Sequence, residues 1–159
     1  MDMNTSVVHK GVVQLLVVVA VIASLPASLA GQELSICALV TAEDASNILG
    51  TAAVKMKDPS GCGWTDATKK MRLNVAYVNV PSMFDAARVG TAKDGKTQDE
   101  PGLGAPAFST IPTDEHGDRI AVYCRKGATV LILDLTAPGA AGRLAPMREV
   151  MRKVAATLS

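Results

Sequence analysis

Histidine is scarce in this chain of 159 residues, which has two, and His9 lies near the N-terminus. His116 is therefore the one imidazole left for a folded domain, which is little for general-base or nucleophile chemistry. Cys124 follows His116 by eight residues on one extended segment, about 26 Å along a strand and beyond hydrogen-bond reach. Nucleophile-elbow and Walker motifs are also missing from the sequence. We predict a protein that is not an enzyme, with no catalytic, cofactor-binding or metal-ligating residues.

Aromatic residues and net charge are also low. Aromatics make up 3% of the chain, too few for a base-stacking platform. The 16 basic and 15 acidic residues leave a formal net charge of +1, so no general electrostatic attraction to phosphates exists. We predict no nucleic-acid partner.

A single long apolar run, Gly11–Leu25, covers about 15 residues, fewer than the ~20 that span a bilayer. Pro26 follows, and Ala27–Ala30 offers small residues for cleavage before Gly31. This layout is typical of a secretory signal. We predict a signal peptide over residues 1–30 and one exported domain over residues 31–159, located in the periplasm, cell envelope or extracellular space. The alternative is an uncleaved N-terminal helix, which would be the protein's one membrane contact and would tether a structural protein.

Cysteine is present in an odd number, so at most one intramolecular disulfide forms among Cys37, Cys62 and Cys124. Cys124 alternates in phase with Ile120 and Val122, which predicts a buried strand position. Cys37 and Cys62 flank the first predicted helix and strand. We therefore pair Cys37 with Cys62, and the pairing of Cys62 with Cys124 stays open.

The rest of the chain predicts an α+β fold: one antiparallel sheet of about five to six strands, covered by two or three helices. The predicted strands cover residues 53–57, 62–65, 71–80, 107–111, 119–125 and 128–136. The segment Val130–Leu135 is nearly all apolar, which is typical of a central strand that is buried on both faces. Residues 32–38 are expected to be extended, and residues 91–101, which are polar and lack periodicity, to form a mobile loop.

Three helices are predicted from capping and periodicity. Thr41 and Asp44 begin the first helix and Gly50 ends it. Ser82 is expected to cap a second helix, Met83–Val89, that stops at Gly90. The last helix runs to about Leu158 and has Pro146 in its first turn. Its apolar stripe comprises Leu144, Met147, Val150, Met151, Val154 and Leu158.

Three other features could bear chemistry. His116 could bind a metal with Asp114, Glu115 or Asp118, although these residue types also suit a solvated hairpin tip. Gly102–Gly104 is half of a dinucleotide fingerprint without its helix, and we expect a tight turn that brings the backbone close to a neighbour. The basic face of the last helix (Arg148, Arg152 and Lys153) is either solvated or binds acidic lipid or glycan.

Several motifs together resemble those of small exported bacterial envelope proteins and lipoproteins catalogued as domains of unknown function. They are Cys37-Ala38-Leu39 before a helix that ends in Leu49-Gly50, Cys62-Gly63-Trp64, Gly102-Leu103-Gly104-Ala105-Pro106-Ala107-Phe108, and a C-terminal amphipathic helix. The resemblance implies a compact α+β envelope domain with a bridge of the Cys37–Cys62 type and no established activity. Ile36 is too large for a lipobox, which argues against a lipid anchor at Cys37.

The sequence therefore favours a binding module for a protein partner or a small apolar ligand. Ala76, Val78 and Val80 could line a groove between the sheet and a helix. The alternative is a metal-dependent hydrolase or other enzyme that uses the acidic hairpin around His116.

Overall fold

A seven-stranded antiparallel sheet forms the centre of the computed structural model, which describes residues 36–57, 62–112 and 118–158. Its strands are β1 (Val54–Lys55), β2 (Cys62–Thr65), β3 (Arg72–Val78), β4 (Gly95–Asp99), β5 (Ala107–Pro112), β6 (Arg119–Lys126) and β7 (Thr129–Thr136). The helices are α1 (Ile36–Leu39), α2 (Ala42–Leu49), α3 (Ser82–Asp94) and α4 (Leu144–Thr157). The order β1-β2-β3-β7-β6-β5-β4 places β7 in the middle, as predicted. The α+β class is confirmed, and the predicted leader lies outside the described residues.

The predicted strand count is wrong, because the described residues form seven strands where five to six were expected. The added strand, β4, falls in the segment that we expected to be a loop. It pairs with β5 at the sheet edge. An edge strand can carry polar residues on both faces, so β4 lacks the alternation that marks a half-buried strand.

Two helix boundaries also differ from prediction. Helix α3 does not stop at Gly90 but continues to Asp94. Gly90 is helical there, and a Cβ placed on it would have no atom within 4 Å. Ser82 is the first helical residue, and no side chain caps this helix. Residues 36–38 begin the one-turn helix α1 instead of extended chain, whereas residues 32–35 lie outside the described part.

Helix α2 has the predicted caps. The Asp44 amide donates to Thr41 Oγ1 at 3.1 Å, and Asp44 Oδ2 accepts from the Thr41 amide at 2.9 Å, a reciprocal capping box. Gly50 ends the helix with φ +68°, and a Cβ there would overlap the Arg143 guanidinium. Arg143 could move away, so glycine is required here for its left-handed backbone.

Helices α2 and α4 cover one face of the sheet, called here the near face. The predicted stripe of α4 is confirmed, since its members from Leu144 to Val154 are buried and Leu158 is half-buried. They pack against aliphatic side chains of the central strands: Leu73, Val75, Ile120, Val122, Leu131, Leu133 and Leu135. Pro146 lies in the first turn of α4, as expected. No helix in the described ranges is long and apolar enough to cross a membrane.

A disulfide joins Cys37 of α1 to Cys62 of β2, as predicted, with Cα atoms 5.2 Å apart. The alternative pairing of Cys62 with Cys124 is wrong, because Cys124 is a free thiol with no exposed surface. Burial raises the pKa of the Cys124 thiol, and the charge of Lys126 opposes that shift only in part. Cys124 therefore behaves as a small apolar core residue.

Candidate functional site

The opposite face of the sheet, called here the far face, carries an aromatic cluster beneath α3. Phe84 of α3 and Phe108 of β5 are buried and meet edge to face, with ring centroids 5.0 Å apart. Tyr123 of β6 stacks on Phe108 at 4.6 Å. Val130 at the start of β7 completes the cluster and is fully buried. Three of the five aromatic residues in the sequence thus hold one helix against the sheet.

Two arginines join α3 to the strands beneath it. Arg88 lies 5.9 Å from the centre of the Phe108 ring and pairs with Asp99 at 2.5 Å. Arg125 lies 5.1 Å from the Phe84 ring centre and approaches Asp85 at 3.4 Å. Both ion pairs are exposed, so they stabilise little by charge alone. The aliphatic parts of the two arginines and their cation–π contacts shield the aromatic rings from solvent.

The residues predicted to line a groove are separated by the structure. Val78 packs against the cluster beneath α3. Ala76 and Val80 are both exposed, Val80 by 52%. Phe84 and Phe108 fill the space between α3 and the sheet where an apolar ligand would have to enter.

Beyond α3, three rows of side chains cross β3, β7 and β6, and we call this region the open half of the far face. The strand register defines the rows as Arg72–Thr136–Arg119, Asn74–Asp134–Ala121 and Ala76–Ile132–Tyr123. The row nearest α3 holds an exposed alanine and the half-buried Ile132 and Tyr123. The other two rows are polar apart from Ala121. The open half therefore has an apolar strip bordered by charged and amide side chains.

Hydrogen bonds fix the polar part of the open half. Arg119 donates two hydrogen bonds to Asp134, from Nε to Oδ1 at 3.2 Å and from Nη2 to Oδ2 at 2.6 Å. The hydrogen bond to Asp134 raises the pKa of Arg119. Arg72 Nε donates to Asn74 Oδ1 at 3.0 Å. Burial raises the pKa of Tyr123, so its phenol is neutral at physiological pH and can donate a hydrogen bond.

A second polar site lies where β4 leads towards β5. Glu100 is only 6% exposed and accepts two hydrogen bonds from Arg148 of α4, each at 2.7 Å. Ser109 of β5 donates a third to the same carboxylate at 2.8 Å. Sequence reasoning missed this cluster, because Glu100 lies in a polar segment and Arg148 is 48 residues away.

The turn that follows Glu100 contains the glycine motif. Pro101–Leu103 form one turn of 3-10 helix, and Gly104 ends it with φ +71°. The predicted tight turn is confirmed, but the predicted close approach is wrong at both glycines, since nothing lies within 4 Å of a Cβ on either. Gly104 is needed for its left-handed backbone. Arg152 Nε donates to the Gly102 carbonyl at 3.1 Å, which brings together two features predicted separately.

The metal site predicted around His116 stays a prediction, because residues 113–117 lie outside the described part of the chain. Asp118 is described: its side chain is exposed, and its carbonyl accepts from the Ala137 amide at 2.8 Å. Within the described ranges, no three side chains of metal-ligating type lie together.

Comparison with known proteins gives little similarity. The chain matches no protein-family model, and no curated protein matches it by sequence. One solved structure aligns in part: the solution structure of cyanobacterial PsbP (CyanoP) from Synechocystis sp. PCC 6803. The alignment covers 66% of this chain and 78% of that chain, at 14% identity and a TM-score of 0.33. Similarity at this level defines neither a shared fold nor a shared function.

Proposed function

We propose that this protein is an exported, non-enzymatic binding module whose open half receives a protein partner. The proposal rests on the partial exposure of an aliphatic side chain in β7, the central strand of the sheet. Ile132 of β7 is half-buried, and it lies between the exposed Ala76 and the half-buried Tyr123. When a partner covers a large aliphatic side chain in the middle of a sheet, apolar surface leaves water and the free energy of the complex falls.

The shape of the open half favours a protein over a small apolar ligand. The open half spans three adjacent strands, which lie about 4.8 Å apart, so it is an extended sheet surface. Small ligands need a concave site that buries most of their surface. The space beneath α3 cannot supply one, since Phe108 and Val130 fill it and have no exposed surface.

The composition of the open half is also that of a protein interface. Tyrosine and arginine are enriched where proteins bind one another, and apolar contacts there are bordered by polar ones. Here Tyr123 and Ile132 form the apolar strip beside α3, and Arg119 with Asp134 borders it on the other side. The bidentate pair and the aromatic stack hold these side chains in place before binding, which lowers the entropic cost of association.

Export is the second part of the proposal. Residues 1–30 have the layout of a signal peptide, and a disulfide such as Cys37–Cys62 persists in oxidising compartments. We expect the mature protein to begin at Gly31. Mass spectrometry of the N-terminus in protein recovered from its host checks this, and an intact N-terminus at Met1 would contradict cleavage.

Site-specific crosslinking tests the binding surface. A photoreactive amino acid at Ala76 should give a discrete adduct with another protein when the chain is expressed in its host and irradiated. The same amino acid at the exposed Ala52, outside the open half, is the control and should give none. Equal adducts at both positions would contradict the proposal, and so would an adduct formed between two copies of this chain.

The captured partner is then tested as a purified protein. Ile132→Glu and Ala76→Glu should each weaken its binding by about tenfold or more, since each places a charge in the desolvated centre of the interface. Val89→Glu, on the outer surface of α3 where Val89 is 64% exposed, should leave the affinity unchanged. Circular dichroism confirms folding of each variant. Unchanged affinity in the folded Ala76→Glu and Ile132→Glu proteins would overturn the proposal.

A further inference from the structure

A pocket of about 310 Å³ lies between the Gly102–Gly104 turn, the end of α4 and the β6–β7 turn. It is distinct from the open half, because it borders the near-face helix α4. We call it the basic pocket. Its volume lies at the lower end of the range for small-molecule sites.

The turn that forms one wall of the basic pocket is held in place by its neighbours. Leu103 is 4% exposed and is anchored in the near-face core. The preceding Glu100 is fixed by Arg148 and Ser109, and its amide donates to the Ala107 carbonyl at 3.0 Å. A ligand therefore meets a turn whose geometry is already set, and little ordering is needed on binding.

The lining consists of small residues, which is why space remains. Glycines form the turn, and alanines face it from α4 and from the segment before β5. Leu103 and Ala155 are buried and give the pocket an apolar floor. A short hydrocarbon chain could fill the space above them and exclude water from it.

Two cations at the pocket lack a carboxylate partner. Arg152 and Lys126 both line it, and neither forms an ion pair with any described residue. The other cations of α4 differ in this respect, since Arg148 pairs with Glu100 and Lys153 pairs with Asp44. The bond from Arg152 Nε to the Gly102 carbonyl orients the guanidinium and leaves its Nη groups available.

We propose that the basic pocket binds a small carboxylate. The carboxylate group lies between Arg152 and Lys126, and a short apolar body lies against Leu103 and Ala155. A guanidinium with available Nη groups matches the planar carboxylate, and a flexible lysine adds a second donor. The proposal is independent of the open half, so either can fail without the other.

Amide chemical shifts test the site directly. Titration with sodium hexanoate should move the resonances of Gly102, Leu103 and Gly104 in a saturable way. Hexanol, which lacks the charge, and acetate, which lacks the apolar body, should each bind more weakly. Phosphate that binds as tightly as hexanoate would overturn the assignment to a carboxylate.

Three variants separate a built site from general attraction by charge. Arg152→Gln and Lys126→Gln should each weaken hexanoate binding by about tenfold, the loss expected for a charge-assisted hydrogen bond. Lys126→Gln keeps the hydrogen bond from Arg152 to the turn, so a loss of binding in this variant cannot be attributed to a disrupted turn. Ala156→Leu keeps both charges but fills the pocket, and it should abolish the saturable shifts.

Lys93→Gln is the matched control, since Lys93 is an exposed cation on α3. It removes the same charge as the pocket variants and should leave hexanoate binding unchanged. Equal losses in Lys93→Gln and Lys126→Gln would show attraction by charge alone and would overturn the proposal. Retained binding in Ala156→Leu, or no shift of the turn resonances at millimolar hexanoate in the wild-type chain, would do the same.

Discussion

The two faces of the sheet are packed by different chemistry. The near face is aliphatic and lies under two helices, and the side chains that its three central strands direct into the core are buried, with Tyr77 half-buried. The far face is aromatic beneath α3, and beyond α3 it has one apolar row and two largely polar rows. The difference indicates that one face supplies most of the stability, which leaves part of the other free for contacts with other molecules.

Adjacent residues of β7 provide the sharpest test of this difference. Leu133 points to the near face and is 2% exposed, whereas Ile132 points to the far face and is half-buried. We expect Leu133→Ala to lower the free energy of unfolding by about 2–5 kcal/mol, because it leaves a cavity. Ile132→Ala should cost about 1 kcal/mol, since less apolar area is lost. Urea denaturation followed by circular dichroism measures both, and equal costs would contradict the comparison.

The disulfide should account for the next largest effect, and it lies on the near-face side. Cys37→Ala/Cys62→Ala opens a loop whose ends are 25 residues apart, which should lower the free energy of unfolding by about 3 kcal/mol. Reducing agent should destabilise the wild-type protein similarly. Cys124→Ala is the control: it keeps the bridge, and its stability should still fall when reducing agent is added. A wild-type unfolding midpoint that is unaffected by reduction would contradict the assigned role of the bridge.

The smallest expected effect concerns the ion pair between Asp44 of α2 and Lys153 of α4, the two near-face helices. Burial raises the pKa of Asp44, but hydrogen bonds from Lys153 and Thr41 outweigh it, so the pKa lies below the ordinary value of 3.8. The ionised carboxylate therefore stabilises the fold above that pH, and this contribution is lost as the pH falls through the lowered pKa.

Asp44→Asn tests that link. Lys153 is 53% exposed, so the variant should lose only about 1 kcal/mol or less at neutral pH. The difference from wild type should shrink as the pH falls below 3.8. Thermal unfolding over a pH series measures it, with Lys153→Gln as a second way to remove the pair. A difference that is constant with pH would contradict the proposed link.

Local signals in the sequence predicted much of the fold. Thr41, Asp44 and Gly50 act through hydrogen bonds and backbone angles within a few residues, so their effects can be read without tertiary structure. Cys124 was placed correctly by strand alternation. Predictions failed where the signal depends on neighbours: β4 is a strand because β5 lies beside it, and Gly90 does not end α3.

The candidate sites were less predictable for the same reason. Gly102 and Arg152 were each noted as motifs, but only the fold brings residues 50 positions apart into hydrogen-bond contact. Lys126 lies between the predicted strands 119–125 and 128–136, and that position gave no sign that it faces a pocket. The buried charge of Glu100 had no sequence signal, because burial of a carboxylate depends on the arginine that meets it.

The order of the strands bears on how the polypeptide is made. Two three-stranded meanders, β1–β3 and β4–β6, are joined only by β7, which follows both in the chain. The complete sheet therefore forms only after residues beyond 129 have left the ribosome. Closure of the sheet therefore waits until about four-fifths of the 159-residue polypeptide has been synthesised.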